Sequence, residues 1–187
     1  CSATASLTHG YVAGGQHPHT SEIDRTDFAN DTATAVAKGP LTVLRRGHGG
    51  TSTTSFGYFA GGNDGSNYVS SIDRIDYSND SATASPKGPL SATQRAMGST
   101  GNASFGYWGG GYNPPALSTV NRLDYSSDTT TASAKGPLTQ SKYAVGGTSS
   151  RANANPGPAA IYPWYDTSGK GNNALITDSR FRATDGG

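Results

Sequence analysis

Short apolar and aromatic runs that end in paired glycines recur along this chain. They are Gly10–Gly15, Ser55–Gly62 and Phe105–Gly111. Each run is shorter than an ordinary helix and stops at turn-forming residues, which predicts a buried β-strand followed by a tight turn. In the middle copy a variable loop follows, and Val69–Tyr77 then predicts a second strand with apolar residues on both of its faces.

The segment after this second strand has weaker signals. Ser78-Asn79-Asp80 predicts a turn, because Asn and Asp side chains mimic backbone turns. Ser81–Ser85 alternates small polar residues with alanine and predicts a third strand. Pro86-Lys87-Gly88-Pro89 is expected to end the ladder, since proline donates no backbone hydrogen bond.

The same order of strand, loop and turn signals occurs three times. Ile23–Phe28 returns as Ile72–Tyr77 and as Val120–Tyr125. A Lys-Gly-Pro-Leu segment follows each copy, with its lysine at Lys38, Lys87 or Lys135, at spacings of 49 and then 48 residues. A period of this size indicates one supersecondary unit that is copied along the chain. Repeated units build scaffolds and binding surfaces, so we expect no repeated catalytic site.

Composition supports an all-β fold. Among 187 residues there are 26 glycines, and Glu22 is the single glutamate. Charged residues are only 14% and the net charge is +1, which gives no electrostatic reason to bind nucleic acid or an anionic membrane. The sequence contains no run of about 18 apolar residues, which is the length that would predict membrane insertion. Cys1 is the only cysteine, so the sequence excludes an internal disulfide.

An aromatic strand ending in Gly-Gly, a variable loop, a strand ending in Tyr, a turn and a Pro-Leu segment together resemble a kelch repeat. The resemblance covers roughly residues 3–147. It implies kelch-like β-propeller blades of about 49 residues, three copies in all, at about 1–46, 47–95 and 96–147. Kelch blades usually carry a tryptophan after the Tyr-containing strand, where this chain has small residues, Ala84 and Ala132.

Three blades are fewer than a closed propeller needs, which is about four to eight. We therefore expect missing repeats or partner chains to complete the ring, and a trimeric stack along a fibre is the second arrangement. The low charge and the Gly, Ser, Asn and Thr content are also similar to repeat proteins of marine bacteriophages, cyanophages especially, and of aquatic bacterial surfaces.

The repeat stops before a fourth glycine strand, which would begin near residue 156. Residues 151–160 have the Pro, Gly and Asn content of a linker. Residues 161–187 contain Tyr165-Asp166-Thr167-Ser168-Gly169, which resembles the opening of laminin-G-like or concanavalin-like jelly-roll modules. That resemblance implies the start of a lectin-like domain. The alternative is a polar tail that packs as a hairpin against the last blade.

The repeated charged residues have a structural and a functional interpretation. Arg25, Arg74 and Arg122 could form a ring that binds acidic sugars, or each could pair with the nearby Asp27, Asp76 or Asp124, or with the backbone of a neighbouring blade. We favour the structural interpretation, and extend it to the three lysines, because packing demands the same residue in every blade.

Candidate metal and catalytic groups are few. His17-Pro18-His19 lacks spaced partner ligands, and Asn63–Asn67 lacks the bidentate Glu of a calcium loop. No nucleophile, base and acid share a usable spacing. We therefore expect no cofactor, no metal site and no enzymatic activity.

Binding specificity is expected in the loops after the glycine pairs, because these differ between copies. The candidate ligand-binding residues are His19, Tyr68, Tyr112 and Asn113. The sequence favours a structural and adhesive protein, extracellular or part of a virion, that displays these loops toward a glycan or a host surface. Its partners would be copies of itself or other fibre subunits. The alternatives are a secreted propeller enzyme acting on carbohydrate and a kelch-type protein–protein adaptor.

Overall fold

A computed structural model of the protein describes residues 1–16 and 18–149, together with two short strands further along the chain. The backbone forms two compact units, Cys1–Ala154 and Asn155–Gly187. In the second unit, β13 (Pro163–Trp164) pairs antiparallel with β14 (Ala174–Leu175). The predicted linker at 151–160 and the lectin-like motif at 165–169 lie outside the described residues.

The first unit contains three four-stranded antiparallel sheets, each an up-and-down meander in chain order. The first sheet consists of β1 (Ser2–Ala5), β2 (His9–Gly15), β3 (Thr20–Asp27) and β4 (Val36–Lys38). The second sheet consists of β5 (Gly49–Ser52), β6 (Phe56–Ala60), β7 (Ile72–Asp76) and β8 (Ser85–Lys87). The third sheet consists of β9 (Gly98–Gly101), β10 (Phe105–Gly109), β11 (Val120–Asp124) and β12 (Ser133–Lys135). The predicted all-β class is thus confirmed.

The first strand of each sheet, which we call the inner strand, has a sequence that gave no strand signal. β1 lies beside β5, and β5 lies beside β9. A Cβ atom on Gly49 would lie 2.6 Å from Cδ1 of Trp108, and one on Gly50 would lie 2.6 Å from the carbonyl oxygen of Ala3. Small residues are required here because the inner strands of neighbouring sheets approach each other closely.

The outermost strand differs from the sequence prediction. A third strand was expected at Ser81–Ser85 and a break at Pro86, but β8 runs from Ser85 to Lys87, and Pro86 pairs with Asp73. The proline is tolerated because β8 is an edge strand, so its missing N–H faces no partner strand. Residues 77–79 form a short 3-10 turn, capped by the Asp76 carboxylate, which accepts from the backbone N–H of Ser78.

Two hydrophobic cores lie between successive sheets. Phe59 fills the first core, between the first and second sheets, and Trp108 fills the second, between the second and third; both are fully buried. Tyr11 stacks on Tyr77 across the first interface, with ring centroids 4.8 Å apart, and Tyr58 stacks on Tyr125 at the same distance across the second. The repeated aromatic residues therefore join neighbouring sheets.

A carboxylate from each turn binds three donors of the preceding sheet. Asp80 accepts from Tyr11 Oη at 3.0 Å and pairs with Arg25 at 2.8 Å and with Lys38 at 3.1 Å. Burial disfavours the ionised carboxyl group, but the hydrogen bonds from Lys38, Tyr11 and Arg25 outweigh it, so the pKa of Asp80 lies below its ordinary value. We call this arrangement the carboxylate clamp.

The clamp is repeated at the next interface. Asp128 accepts from Tyr58 Oη at 3.1 Å and pairs with Arg74 at 2.7 Å and with Lys87 at 3.5 Å. Arg25, Lys38, Arg74 and Lys87 therefore have structural partners, as expected, but the predicted Asp27 and Asp76 are not those partners. Asp76 caps its own turn and is not the partner of Arg74, because the partner comes from the following repeat.

A second polar contact crosses the first interface nearer the centre. Asp73 is fully buried and accepts from the backbone N–H of Thr42 at 2.9 Å, from its hydroxyl at 2.7 Å and from Arg45 Nη2 at 3.0 Å. Burial lowers the pKa of Arg45, and the charge of Asp73 opposes that shift. At the corresponding place in the second interface the two residues are neutral, Gln94 and Asn121, and both are fully buried.

Four residues after the third sheet match the sequence of an inner strand. Gly146-Gly147-Thr148-Ser149 has the same sequence as β5, Gly49-Gly50-Thr51-Ser52. It lies beside β9, where the hydroxyl of Thr100 donates to the carbonyl oxygen of Thr148. Within residues 1–16 and 18–149 the three sheets do not close into a ring. The helical turns in this region are also too short to cross a bilayer.

Candidate functional site at the loop edge

The loops that join the second and third strands of each sheet lie at one edge of the unit. Each loop is held by the segment that leads into its own sheet. Arg46 and Asn63 exchange backbone hydrogen bonds of 3.0 and 2.9 Å, and Arg95 and Tyr112 exchange bonds of 3.1 and 2.8 Å. The variable loops therefore rest on a regular backbone frame, as binding loops on rigid scaffolds do.

Three tyrosines surround an arginine at this edge. The guanidinium carbon of Arg95 lies 5.4 Å from the ring centroid of Tyr68 and 5.4 Å from that of Tyr112. The two rings meet edge to face, 6.2 Å apart. Tyr143 packs against Tyr112 at 5.2 Å and is 56% exposed. We call Tyr68, Arg95, Tyr112 and Tyr143 the tyrosine–arginine cluster.

The sequence-predicted site residues are only partly brought together. Tyr68 and Tyr112 both belong to the cluster. Asn113 lies beside Tyr112, but its Nδ2 donates to the carbonyl and hydroxyl oxygens of Thr93, both at 3.0 Å, so it braces the loop. His19 is half-buried at a different point of the edge, against Gly65 of the second sheet's loop. His17, its neighbour in the considered metal pair, lies outside the described residues.

Arg95 and Tyr143 were not among the predicted residues. They occupy equivalent positions in successive repeats, together with Arg46, in the segment that leads into each sheet. The change from arginine at two copies to tyrosine at the third was the available signal. The prediction placed binding residues in the variable loops after the glycine pairs, whereas Arg95 and Tyr143 precede the inner strands.

The cluster can bind a ligand through ring faces, hydroxyl groups and one cation. Arg95 is half-buried and its Nε is enclosed by the protein, so it contributes positive charge to the cluster rather than a free Nε–H donor. Tyrosine rings with hydroxyl tips offer both an apolar face and a polar edge. In the same region, no three His, Cys, Asp or Glu side chains group as metal ligands.

A larger depression at the opposite edge is built differently. It has a volume of about 630 Å³ between the first and second sheets, lined by residues that include His9, Arg25 and Phe56. Its charged and polar groups are engaged internally. Arg25 pairs with Asp80, and His9 Nδ1 lies 2.8 Å from the hydroxyl of Thr8. The loop edge is therefore the better candidate site.

Comparisons with known proteins bear on the fold. No protein-family model matches the chain, and no curated protein matches its sequence. Among solved structures, the chain is similar to YjhT, with a TM-score of 0.61 and 12% sequence identity. The match covers 75% of this chain and 52% of the YjhT chain, so the chain spans about half the length of that structure. At this identity the similarity shows the fold alone.

Proposed function

We propose that this chain is part of a kelch-like β-propeller in a non-enzymatic, structural and adhesive protein. In this proposal it belongs to a phage fibre or a bacterial surface appendage and works outside the cell or on a virion. The supporting features are three meander sheets in series and the low charge and high Gly, Ser, Asn and Thr content of the repeats, which resemble those of phage and aquatic bacterial repeat proteins.

The observation that carries the binding function is the tyrosine–arginine cluster. It presents the exposed Tyr143 beside two half-buried tyrosines that flank the cation of Arg95. Ring faces stack on the C–H faces of sugars, while phenol and guanidinium groups donate to hydroxyl and carboxylate oxygens. We therefore propose that the cluster binds a glycan on a host or neighbouring surface.

A glycan array with the full chain tests this proposal, followed by titration calorimetry on the best ligand. Tyr112→Ala should weaken binding by about tenfold or more, since truncation of a central aromatic contact costs at least about 1.4 kcal/mol. Leu7→Ala is the control, because Leu7 is 55% exposed and lies at the opposite edge, outside the cluster. The proposal fails if no glycan binds, or if both variants weaken binding equally.

A further inference from the structure

The third sheet exposes the same donor set that the first and second sheets turn toward their neighbours. Tyr107, Arg122 and Lys135 are the equivalents of Tyr58, Arg74 and Lys87 in the repeat alignment. Among the described residues, Arg122 and Lys135 have no carboxylate partner. Arg122 lies over the ring of Phe105 at 4.3 Å, as the clamped Arg74 lies over Phe56 at 4.2 Å. This face is a clamp that lacks its carboxylate.

The first sheet exposes the complementary set on its free face. Asp31 is the equivalent of Asp80 and Asp128 and is exposed. Phe28, at the position of the stacked Tyr77, is 54% exposed. Val12, at the position of the fully buried Phe59, is 45% exposed. The residues that fill an interface in the second and third sheets thus face outward in the first.

The backbone of the third sheet is also shaped for a neighbour. A Cβ atom on Gly39 would overlap the carbonyl group of Ala82, and one on Gly88 would overlap that of Thr130, because the next sheet's backbone lies against each glycine. At the equivalent Gly136, nothing among the described residues lies within 4 Å. No described residue requires a glycine at position 136, whereas a backbone from another sheet would.

Charge matching indicates which sheet fits. Near the centre of the first interface, the basic Arg45 faces the acidic Asp73. At the equivalent two positions of the second interface, both residues are neutral, Gln94 and Asn121. At the two open ends the third sheet offers Lys142 and the first sheet offers Asp24. The two free faces are therefore matched to each other in charge, as the first interface is.

We propose that the third sheet of one copy binds the first sheet of a second copy of this chain, head to tail. Asp31 of the second copy accepts from Tyr107 and pairs with Arg122 and Lys135, while its Asp24 pairs with Lys142. Its Val12 lies against Tyr107 and Leu138, the equivalents of Tyr11 and Leu41, which enclose Phe59 in the first interface. This inference does not depend on glycan binding.

The register has one steric consequence. β1 of the second copy falls where Gly146–Ser149 lies beside β9, so these four residues must move aside. Gly147 packs against the backbone of Ser99, and the hydroxyl of Thr100 donates to the backbone of Thr148, so the association must outweigh the loss of these contacts. The contact is heterologous, so it produces a closed ring if the rotation allows it and an open filament otherwise.

Sedimentation velocity of the full chain, from low micromolar to several hundred micromolar, tests the proposal. The wild type should form species larger than a monomer. Asp31→Lys destroys the first-sheet face, and Arg122→Glu destroys the third-sheet face. Each should weaken association by roughly 30-fold or more, because each leaves a charged partner unpaired in a desolvated contact. Asp64→Lys, an equal charge change on an exposed loop, is the control.

Mixing the two variants provides the decisive result. Asp31→Lys keeps an intact third-sheet face and Arg122→Glu keeps an intact first-sheet face, so an equimolar mixture should give a dimer of one copy of each and nothing larger. Circular dichroism confirms that each variant folds, and if Arg122→Glu does not, Asp31→Lys alone still tests the contact. A wild type that stays monomeric, or an Asp31→Lys protein that assembles like the wild type, overturns the proposal.

Discussion

His48 is a buried histidine with an apolar neighbour. Its exposure is 4%, and its ring meets Phe59 edge to face at 5.9 Å. Neither ring nitrogen has a side-chain partner among the described residues. Burial, with smaller contributions from the positive charges of the N-terminal amine and of Arg45, lowers its pKa to about 3. The neutral imidazole is therefore the form that the fold accepts.

Replacement of His48 should make stability less dependent on pH. Between about pH 3 and pH 6.5 the unfolded chain binds this proton and the folded chain does not, so lowering the pH favours unfolding. His48→Met should remove a slope of up to about 1.4 kcal/mol per pH unit from the free energy of unfolding. Methionine is chosen because Met97 occupies the equivalent buried position in the next repeat.

Urea denaturation at pH 7 and pH 5 measures this effect. The control is His9→Gln, because His9 lies at the opposite edge beside Thr8 and is only half-buried. The explanation is wrong if His48→Met loses as much stability between the two pH values as the wild type does.

Single positions also show where inference from sequence failed. Arg25 was expected to pair with Asp27, which is two residues away in sequence, but it pairs with Asp80. The sequence contains the necessary information, since an aspartate recurs in the turn of every repeat. Choosing that aspartate as the partner requires knowing that each sheet lies directly against the next one.

At the scale of the element, the close approach of neighbouring backbones gives a sharp prediction. Gly88→Ala should destabilise the fold by about 2 kcal/mol or more, because its methyl group would overlap the Thr130 carbonyl and separate the second and third sheets. Gly136→Ala is the matched control. It has open space among the described residues and should be neutral or slightly stabilising, by restricting the unfolded chain.

Thermal unfolding at low protein concentration compares the two variants. Equal losses of stability would contradict the packing explanation, since both substitutions add one methyl group in the same Lys-Gly-Pro-Leu sequence. At high concentration Gly136→Ala should in addition impede the proposed association, because the added methyl group would meet the incoming backbone.

Strands differed in how well their sequences predicted them. The aromatic strands β6 and β10 and the strands β7 and β11 were predicted, because large apolar residues alternate or run together there. The inner strands β1, β5 and β9 were not, because crowding between the sheets demands small residues, which carry no β-strand signal. β8 was displaced by a few residues, since an edge strand can contain the proline that was expected to end it.

The candidate site was predictable only in part, because its residues come from more than one repeat. Tyr68 and Tyr112 were found because they lie in variable loops. Arg95 and Tyr143 come from segments that lead into the following sheets, and only the assembly of successive repeats places them beside those loops. A site shared between repeats cannot be read from one repeat alone.

When one interface between sheets is weakened, backbone amides should lose protection from hydrogen exchange mainly in the end sheet at that interface. Each end sheet contacts one neighbour within the described unit, so its stability depends on a single interface, as in other repeat arrays. Asp128→Asn removes the negative charge that pairs with Arg74 and Lys87 between the second and third sheets, and replaces one acceptor oxygen with an amide N–H donor. We expect a loss of about 2 kcal/mol, since the donors Tyr58, Arg74 and Lys87 are buried or partly buried.

Amide hydrogen exchange then distinguishes local from global coupling. Asp128→Asn should speed exchange in β10 and β11 and leave β2 and β3 nearly unchanged, whereas Asp80→Asn should do the reverse. Asp31→Asn, at the equivalent exposed position, should change neither region at low protein concentration. If either clamp variant speeds exchange equally in all three sheets, the unit unfolds as one cooperative body, and stability that depends on nearest neighbours is the wrong description.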